Sequence, residues 1–357
     1  MVGTDEERRA LQTWLGVHLS AAGEVHIGEV RRPQGSGFSA ETLIFDVAYV
    51  VGGEQREHRL VLRKETPDPA VYPTQVPGLD VEIDIQYRVM SALRAKGEVP
   101  IAPLLGYESD PGVLGAPFFV MGYVSGQVPI ESPPYTLEGF FVAAQPADRR
   151  AMIEDGVRTL ARLHTLDWQA AGLQWLIAPG VPPGTATQLD IWERYARNAL
   201  GGREHPTFER GVAWLRSHRP DDDRVGFCWG DARPGNIIWS GFRAACLTDF
   251  EAACISCPEQ DLGWWLMFDR SIHEAVGAER LDGDPTRDEQ REMYERASGR
   301  PVGDTAFHEI FAAMRYTGIV VQVMNRAVAR GDLPAEQTIW LDNPATFCLV
   351  QLLDEHT

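Results

Sequence analysis

Two carboxylates and an amide, set close together in the second half of the chain, are residue types that could serve group transfer between oxygens. The first stretch reads Trp229-Gly230-Asp231-Ala232-Arg233-Pro234-Gly235-Asn236, and Leu247-Thr248-Asp249-Phe250-Glu251 follows it. Phosphoryl transfer leaves a protein little covalent work: one group orients the attacking hydroxyl, and oxygen ligands hold Mg²⁺ against the phosphates. Asp231 suits the first task, and Asn236 with Asp249 suits the second. The apolar run Asn236 to Trp239, the turn signal Ser240-Gly241 and the second run Ala244 to Thr248 predict a hairpin. Such a hairpin returns Asn236 and Asp249 to the same end. Taken alone, Asp-x-x-x-x-Asn also describes a capped turn, because Asp, Asn, Pro and Gly all populate turns. The hairpin and Asp249 lift the pattern above that reading.

Composition sets the frame around these residues. A chain of 357 residues with 44% apolar and 24% charged side chains can bury two lobes, each with its own core. The acidic, polar N-terminus and the lack of a long apolar run predict a cytoplasmic protein with no membrane partner. A formal net charge of −18 disfavours nucleic acid and anionic membrane; it is compatible with a cationic substrate without requiring one. Five cysteines, an odd number, do not form a disulfide framework. Cys254-Ile255-Ser256-Cys257 lacks a second pair for zinc, and two small, partly buried residues are its simplest reading beside that of a redox pair.

The elements that must position the site follow in chain order. A leading helix spans about Asp5 to Ala22. Gly35-Ser36-Gly37 then precedes an alternating strand, Leu43 to Val50, and a glycine turn of this kind lets backbone N–H groups approach phosphate oxygens. A second strand, His58 to Lys64, follows Gly52-Gly53, and a proline-rich loop, Thr66 to Leu79, leads to a helix over Val81 to Lys96. The strand Pro117 to Tyr123 comes next. From Pro146 the pattern turns helical, over about Ala147 to Trp168, Leu189 to Leu200, Pro206 to His218, Leu262 to Gly277, Pro285 to Ser298, Thr305 to Arg330 and Pro334 to Asp354.

The Asp231 stretch resembles the catalytic loop of the aminoglycoside phosphotransferase and choline kinase group, which usually reads His-Gly-Asp-x-x-x-x-Asn and then Asp-x-Glu or Asp-x-Asp. Trp229 departs from the pattern by standing in the histidine position. Pro258 to Trp264 resembles the group's Pro-x-x-Asp-Leu-Ala stretch, which implies that Asp261 braces the loop, and His164 reads as a satisfied core histidine. The wording of the first part of the chain, at Leu114 to Phe119 and elsewhere, looks closest to the kinase-like domains found with acyl-CoA dehydrogenases.

The resemblance implies an α+β, bilobal, protein-kinase-like fold: a small β-rich N-lobe over 1–122 and a larger, mainly helical C-lobe over 123–357. It implies ATP and Mg²⁺ as cofactors, with Gly35, Ser36, Gly37 and Arg63 at the phosphates and Met121 and Tyr123 at the adenine edge. Lys64 is the reserve for Arg63. Glu82 or Gln86 would partner Arg63, Gln86 standing where relatives usually carry Glu. Asn236 and Asp249 would bind metal, and Asp231 would accept the proton of a hydroxyl on a small-molecule substrate. A catalytically silent nucleotide-binding protein is the alternative. The helical insertion before the catalytic loop would shape the acceptor pocket. It offers Asp190, Glu193, Glu204 and Asp221 to Asp223 on one side, and Trp175, Trp192, Tyr195, Trp214, Arg194 and Arg197 on the other, which points to an apolar or mixed acceptor more than to a typical aminoglycoside.

Overall fold

In the computed structural model, which describes residues 5–33, 40–220 and 224–357, the chain opens with helix α1 (Asp5–His18). Leu11, Trp14 and Leu15 share one face of α1 and are buried with Ile27, Phe45 and Phe118. The helix ends short of the predicted Ala22, because Ser20 takes φ 52° and leaves the helical path. Strands β1 (His26–Ile27), β2 (Ala40–Val51) and β3 (Glu54–Glu65) follow, then helix α2 (Glu82–Lys96), strand β4 (Leu104–Glu108), the short helix α3 (Pro111–Leu114) and strand β5 (Phe118–Gly122). The five strands form one antiparallel sheet in the order β1-β2-β3-β5-β4. Gly52 and Gly53, at φ 60° and 82°, make the tight turn that the β2–β3 register requires.

Residues 1–70 and 81–125 form one compact unit, and residues 71–80 and 126–357 form the other. The sequence reading drew a single boundary after residue 122 and treated 66–79 as a polar loop. Val71, however, is buried in the apolar core of the second unit, where the Tyr195 hydroxyl donates to its carbonyl.

The second unit is mainly helical: α4 (Phe140–Ala143), α5 (Pro146–Leu163), α6 (Thr185–Leu200) and α7 (Pro206–Ser217) come first. Strands β6 (Gly226–Cys228), β7 (Ile237–Ser240), β8 (Arg243–Leu247) and β9 (Cys254–Ser256) follow, then α8 (Glu259–His273), α9 (Arg287–Ser298), α10 (Ala306–Arg330) and α11 (Pro344–Glu355). Trp192, Phe208, Trp264, Phe311 and Leu349 bring α6, α7, α8, α10 and α11 onto one core. The last helix begins at Pro344 rather than Pro334. Asn343 caps it by accepting from the N–H groups of Ala345 and Thr346, and Pro344 fills the first turn, where no N–H is needed. The architecture is thus α+β, with an antiparallel sheet in one unit and helices dominating the other.

Candidate active site

Strands β7 and β8 pair in antiparallel register, Ile237 opposite Leu247, and the hairpin closes on Asn236. The backbone N–H and the hydroxyl of Thr248 both donate to the Asn236 carbonyl, at 3.0 Å each. Asn236 and Asp249 therefore leave the hairpin at one end, as its spacing predicts. Three anchors hold it there. The N–H of Ala244 donates to Asp155 of α5 (2.9 Å), the Trp239 indole donates to the Pro234 carbonyl (3.0 Å), and the backbones of Gln127 and Trp239 exchange two hydrogen bonds of 2.8 Å.

Asp231 is only 3% exposed and accepts four hydrogen bonds. Oδ1 receives the Trp264 indole N–H (2.7 Å) and the Arg233 Nε–H (2.9 Å). Oδ2 receives the Asn236 amide (2.7 Å) and the Tyr72 hydroxyl (2.9 Å). Burial drives the Asp231 carboxyl up to about 6, against the pull of Trp264, Asn236 and Tyr72, all of which favour the charged form. Burial, followed by the charge of Asp231, pushes the Tyr72 phenol well above its ordinary range, so it remains a donor at neutral pH.

The Asn236 Nδ2 also donates to the Asp231 carbonyl, at 3.0 Å. With its nitrogen turned to Asp231, the amide presents Oδ1 on its other edge. That oxygen and the carboxylate of half-buried Asp249 are hard donors of the kind Mg²⁺ takes, so the residues fit the ion. Asp249 itself sits in the left-handed region at φ 55°, a conformation that Asp tolerates better than most residues.

The loop is fixed from below. Asp261, fully buried, accepts from the backbone N–H groups of Trp229 (2.6 Å) and Gly230 (2.9 Å) and from the His164 Nε2–H (3.1 Å). With its Nε2 proton committed to a carboxylate, His164 accepts the Tyr294 hydroxyl at Nδ1, 2.6 Å away. Both residues play the structural parts expected of them. Trp229, which replaces the expected histidine, donates its indole N–H to the carbonyls of Thr248 (2.8 Å) and Asp249 (3.1 Å) and so ties the loop to the end of the β7–β8 hairpin. Gly230 must be glycine: its φ is 90°, and a Cβ would run into the Ala252 carbonyl. Above it, buried Arg315 of α10 donates to the Gly230 carbonyl at 2.6 Å, with its guanidinium 4.3 Å from the Trp192 ring and 4.5 Å from the Trp264 ring.

Arg63 lies on β3 opposite Thr42 and Phe119 and is buried, as are Glu82 and Gln86 of α2. Lys64 turns to the other face and pairs with Glu41 across the strands at 2.9 Å, so the reserve lysine has a structural ion pair. Met121 is buried in β5, an interior strand. The N–H groups of Gly122 and Tyr123 donate to the carbonyls of Pro103 (2.7 Å) and Arg59 (3.0 Å). Gly35, Ser36 and Gly37 lie outside the described residues. The five cysteines are buried free thiols. Cys254 faces Cys228 across the β6–β9 pair, and burial pushes the Cys228 thiol well up, away from redox reactivity.

Comparison with known proteins bears on what this arrangement is. The sequence model described as the phosphotransferase enzyme family matches residues 40–305. The chain belongs to that family. Within this phosphotransferase family, it is 27% identical over 304 residues to "Acyl-CoA dehydrogenase family member 11" of Pongo abelii, covering 82% of the chain and 36% of that relative. The phosphotransferase chain thus spans about a third of the length of that curated relative. A solved structure from Ralstonia eutropha JMP134, assigned to the aminoglycoside phosphotransferases, aligns over 98% of both chains at 26% identity with a TM-score of 0.68. A thermostable mutant of aminoglycoside phosphotransferase APH(4)-Ia, in ternary complex with AMP-PNP and hygromycin B, covers 98% of this chain and 99% of its own. Its identity is 11% and its TM-score 0.58, a likeness of fold.

The sequence reading missed Tyr72, Arg233, Trp264 and Arg315 as parts of the site. Trp264 and Arg315 carry a weak signal, since a buried indole N–H or guanidinium needs a partner. Tyr72 carries none.

Proposed function

We propose that this phosphotransferase is an ATP-dependent small-molecule kinase that moves the γ-phosphoryl group of ATP to a substrate hydroxyl. One observation carries the reading: a buried carboxylate, Asp231, hydrogen-bonded to Asn236, whose carbonyl is itself tied to Thr248, the residue before Asp249. The AMP-PNP held by the APH(4)-Ia complex supports nucleotide use.

Asp231 accepts a hydrogen bond from the acceptor hydroxyl and then its proton. The acceptor oxygen bonds to the γ-phosphorus as the bond to the ADP oxygen breaks, which yields ADP and a phosphate monoester. Asn236 Oδ1 and the Asp249 carboxylate would hold Mg²⁺, which when bound neutralises phosphate charge. Arg63 would contact the phosphates, and the carbonyls of Met121 and Tyr123 would face the adenine.

The acceptor is an apolar or mixed hydroxylated compound rather than a polycation. Two of the insertion's carboxylates are already paired: Arg216 binds Asp190 and Glu193 at 2.6 Å each, and Arg197 binds Glu193 at 2.8 Å, while Asp221 to Asp223 lie outside the described residues. Beside the catalytic loop, Ile130, Tyr135, Phe268, Tyr316 and Pro234, with Arg233, line a mostly apolar cavity of about 170 Å³. Trp192 is packing core, whereas Trp214 is only partly buried. ATP consumption measured against aminoglycosides and against hydroxylated apolar compounds, with Asp231→Asn in parallel, tests the reading. The variant should lose a factor on the order of 10² to 10⁴ in rate while keeping its ATP affinity. Near-wild-type turnover by the variant overturns the mechanism, and turnover confined to aminoglycosides overturns the acceptor class.

A further inference from the structure

The carboxylate of Asp231 is saturated. Its two oxygens offer four lone-pair directions, and Trp264, Arg233, Asn236 and Tyr72 take all four. A general base must still accept one more hydrogen bond, from the hydroxyl whose proton it removes. One donor therefore has to leave.

The four differ in how firmly they are held. Trp264 is 1% exposed inside the helical core, and Asn236 is bonded a second time to the Asp231 backbone. Arg233 sits two residues along the same loop and is also paired with Glu131. Tyr72 comes instead from the separate segment 71–80, 159 positions away in sequence, and its ring is only half-buried, edge-on to Trp192 at 6.5 Å. On either side of it the segment is pinned to α6, by the Tyr195 hydroxyl on the Val71 carbonyl and by the Gln188 amide on Gln75 at 2.8 Å. The phenol can swing off the carboxylate while its anchors stay in place.

We propose that the Tyr72 hydroxyl occupies the position of the acceptor hydroxyl on Asp231 Oδ2, so that Tyr72 is a positioning residue that keeps water off the base until an alcohol displaces it. The segment 71–80, together with α6, then walls the acceptor subsite. The proposal rests on the kinase reading above and makes a claim that the reading does not: loss of the phenol hydroxyl alone should open the base to water. In that side reaction a water oxygen bonds to the γ-phosphorus, the bond to the ADP oxygen breaks, and the water proton passes to Asp231, giving ADP and inorganic phosphate.

The test needs no acceptor. Phosphate release from Mg²⁺-ATP is measured for the full chain as wild type, Tyr72→Phe, Tyr72→Leu, Asp231→Asn and the double variant Tyr72→Phe/Asp231→Asn, with ATP binding by calorimetry for each. The two Tyr72 single variants should release phosphate about tenfold faster than wild type, the factor expected when a hydrogen bond to a charged group no longer has to be broken. The double variant should fall to the rate of Asp231→Asn alone. Unchanged release in both Tyr72 single variants, with ATP binding retained, overturns the inference and leaves the kinase reading standing. A gain that survives in the double variant also overturns it, as does label from γ-labelled ATP settling on Tyr72 itself. Absence of ATP binding in all five proteins overturns the kinase reading, and this inference with it.

Discussion

Arg315 donates from its Nη2 to the carbonyl of Gly230, 2.6 Å away, across 85 positions of sequence. The guanidinium lies over the rings of both Trp192 and Trp264, so the group that holds the residue before Asp231 is itself clamped by two indoles. Arg315→Ala should leave a cavity between those rings and an unsatisfied carbonyl, at a cost of about 3 kcal/mol. Chemical denaturation measures it, and a change below about 0.5 kcal/mol would show that the clamp contributes nothing.

The proposed metal site predicts a difference between its two ligands. Asp249→Ala should abolish the gain in ATP affinity that Mg²⁺ gives, because it removes the charged oxygen ligand, while Asn236→Ala should diminish that gain less. Calorimetry with and without EDTA decides, and an unchanged Mg²⁺ effect in the Asp249 variant refutes the assignment.

Trp229 ties the catalytic loop to the strained Asp249 through one shared indole N–H. Trp229→Phe keeps a ring beside Phe250, whose centroid lies 5.6 Å away, and removes only the donor. Phosphoryl transfer should slow about tenfold. Transfer kinetics at saturating ATP check this, and full activity in the variant would reduce Trp229 to packing.

His308 sets an acid limit on stability. Burial drives its imidazole down to about 4, and the nearby Arg224 acts in the same direction. The unfolded chain, with an ordinary value of about 6.5, binds the proton more readily, so stability is complete above that value and falls as pH drops toward 4. At pH 5 the loss attributable to this residue should be about 2 kcal/mol. His308→Leu should flatten the decline in unfolding free energy between pH 7.5 and pH 5, and an identical slope in the two proteins would contradict the assignment.

What could be read from sequence was local. Asn236 and Asp249 were legible as a pair because turn residues and a two-stranded period lie between them, and Asp261 and His164 because their motif sits on predictable helices. The donors to Asp231 were less so. Trp264 and Tyr72 reach it across 33 and 159 positions, and nothing in a helical apolar pattern says which indole turns its N–H to a carboxylate. The start of α11 was misplaced because Pro334 and Pro344 both look like a helix's first turn, and only Asn343 supplies the cap. The placement of residues 71–80 with the second unit was not legible, because a proline-rich stretch reads as solvent-facing loop, while Val71 within it is core.

The excursion of residues 71–80 makes the two units inseparable as pieces of chain. The polypeptide passes from one to the other after Ala70, returns at Val81 and passes over again after Ser125, so no single cut yields either unit whole. A fragment starting at residue 126 would contain every helix described in the larger unit and would still lack Val71 in its core and the Tyr72 hydroxyl on Asp231. During synthesis the segment emerges long before α6 and α10, the helices whose core receives Val71. The larger unit is thus completed by a piece of chain made before the rest of it.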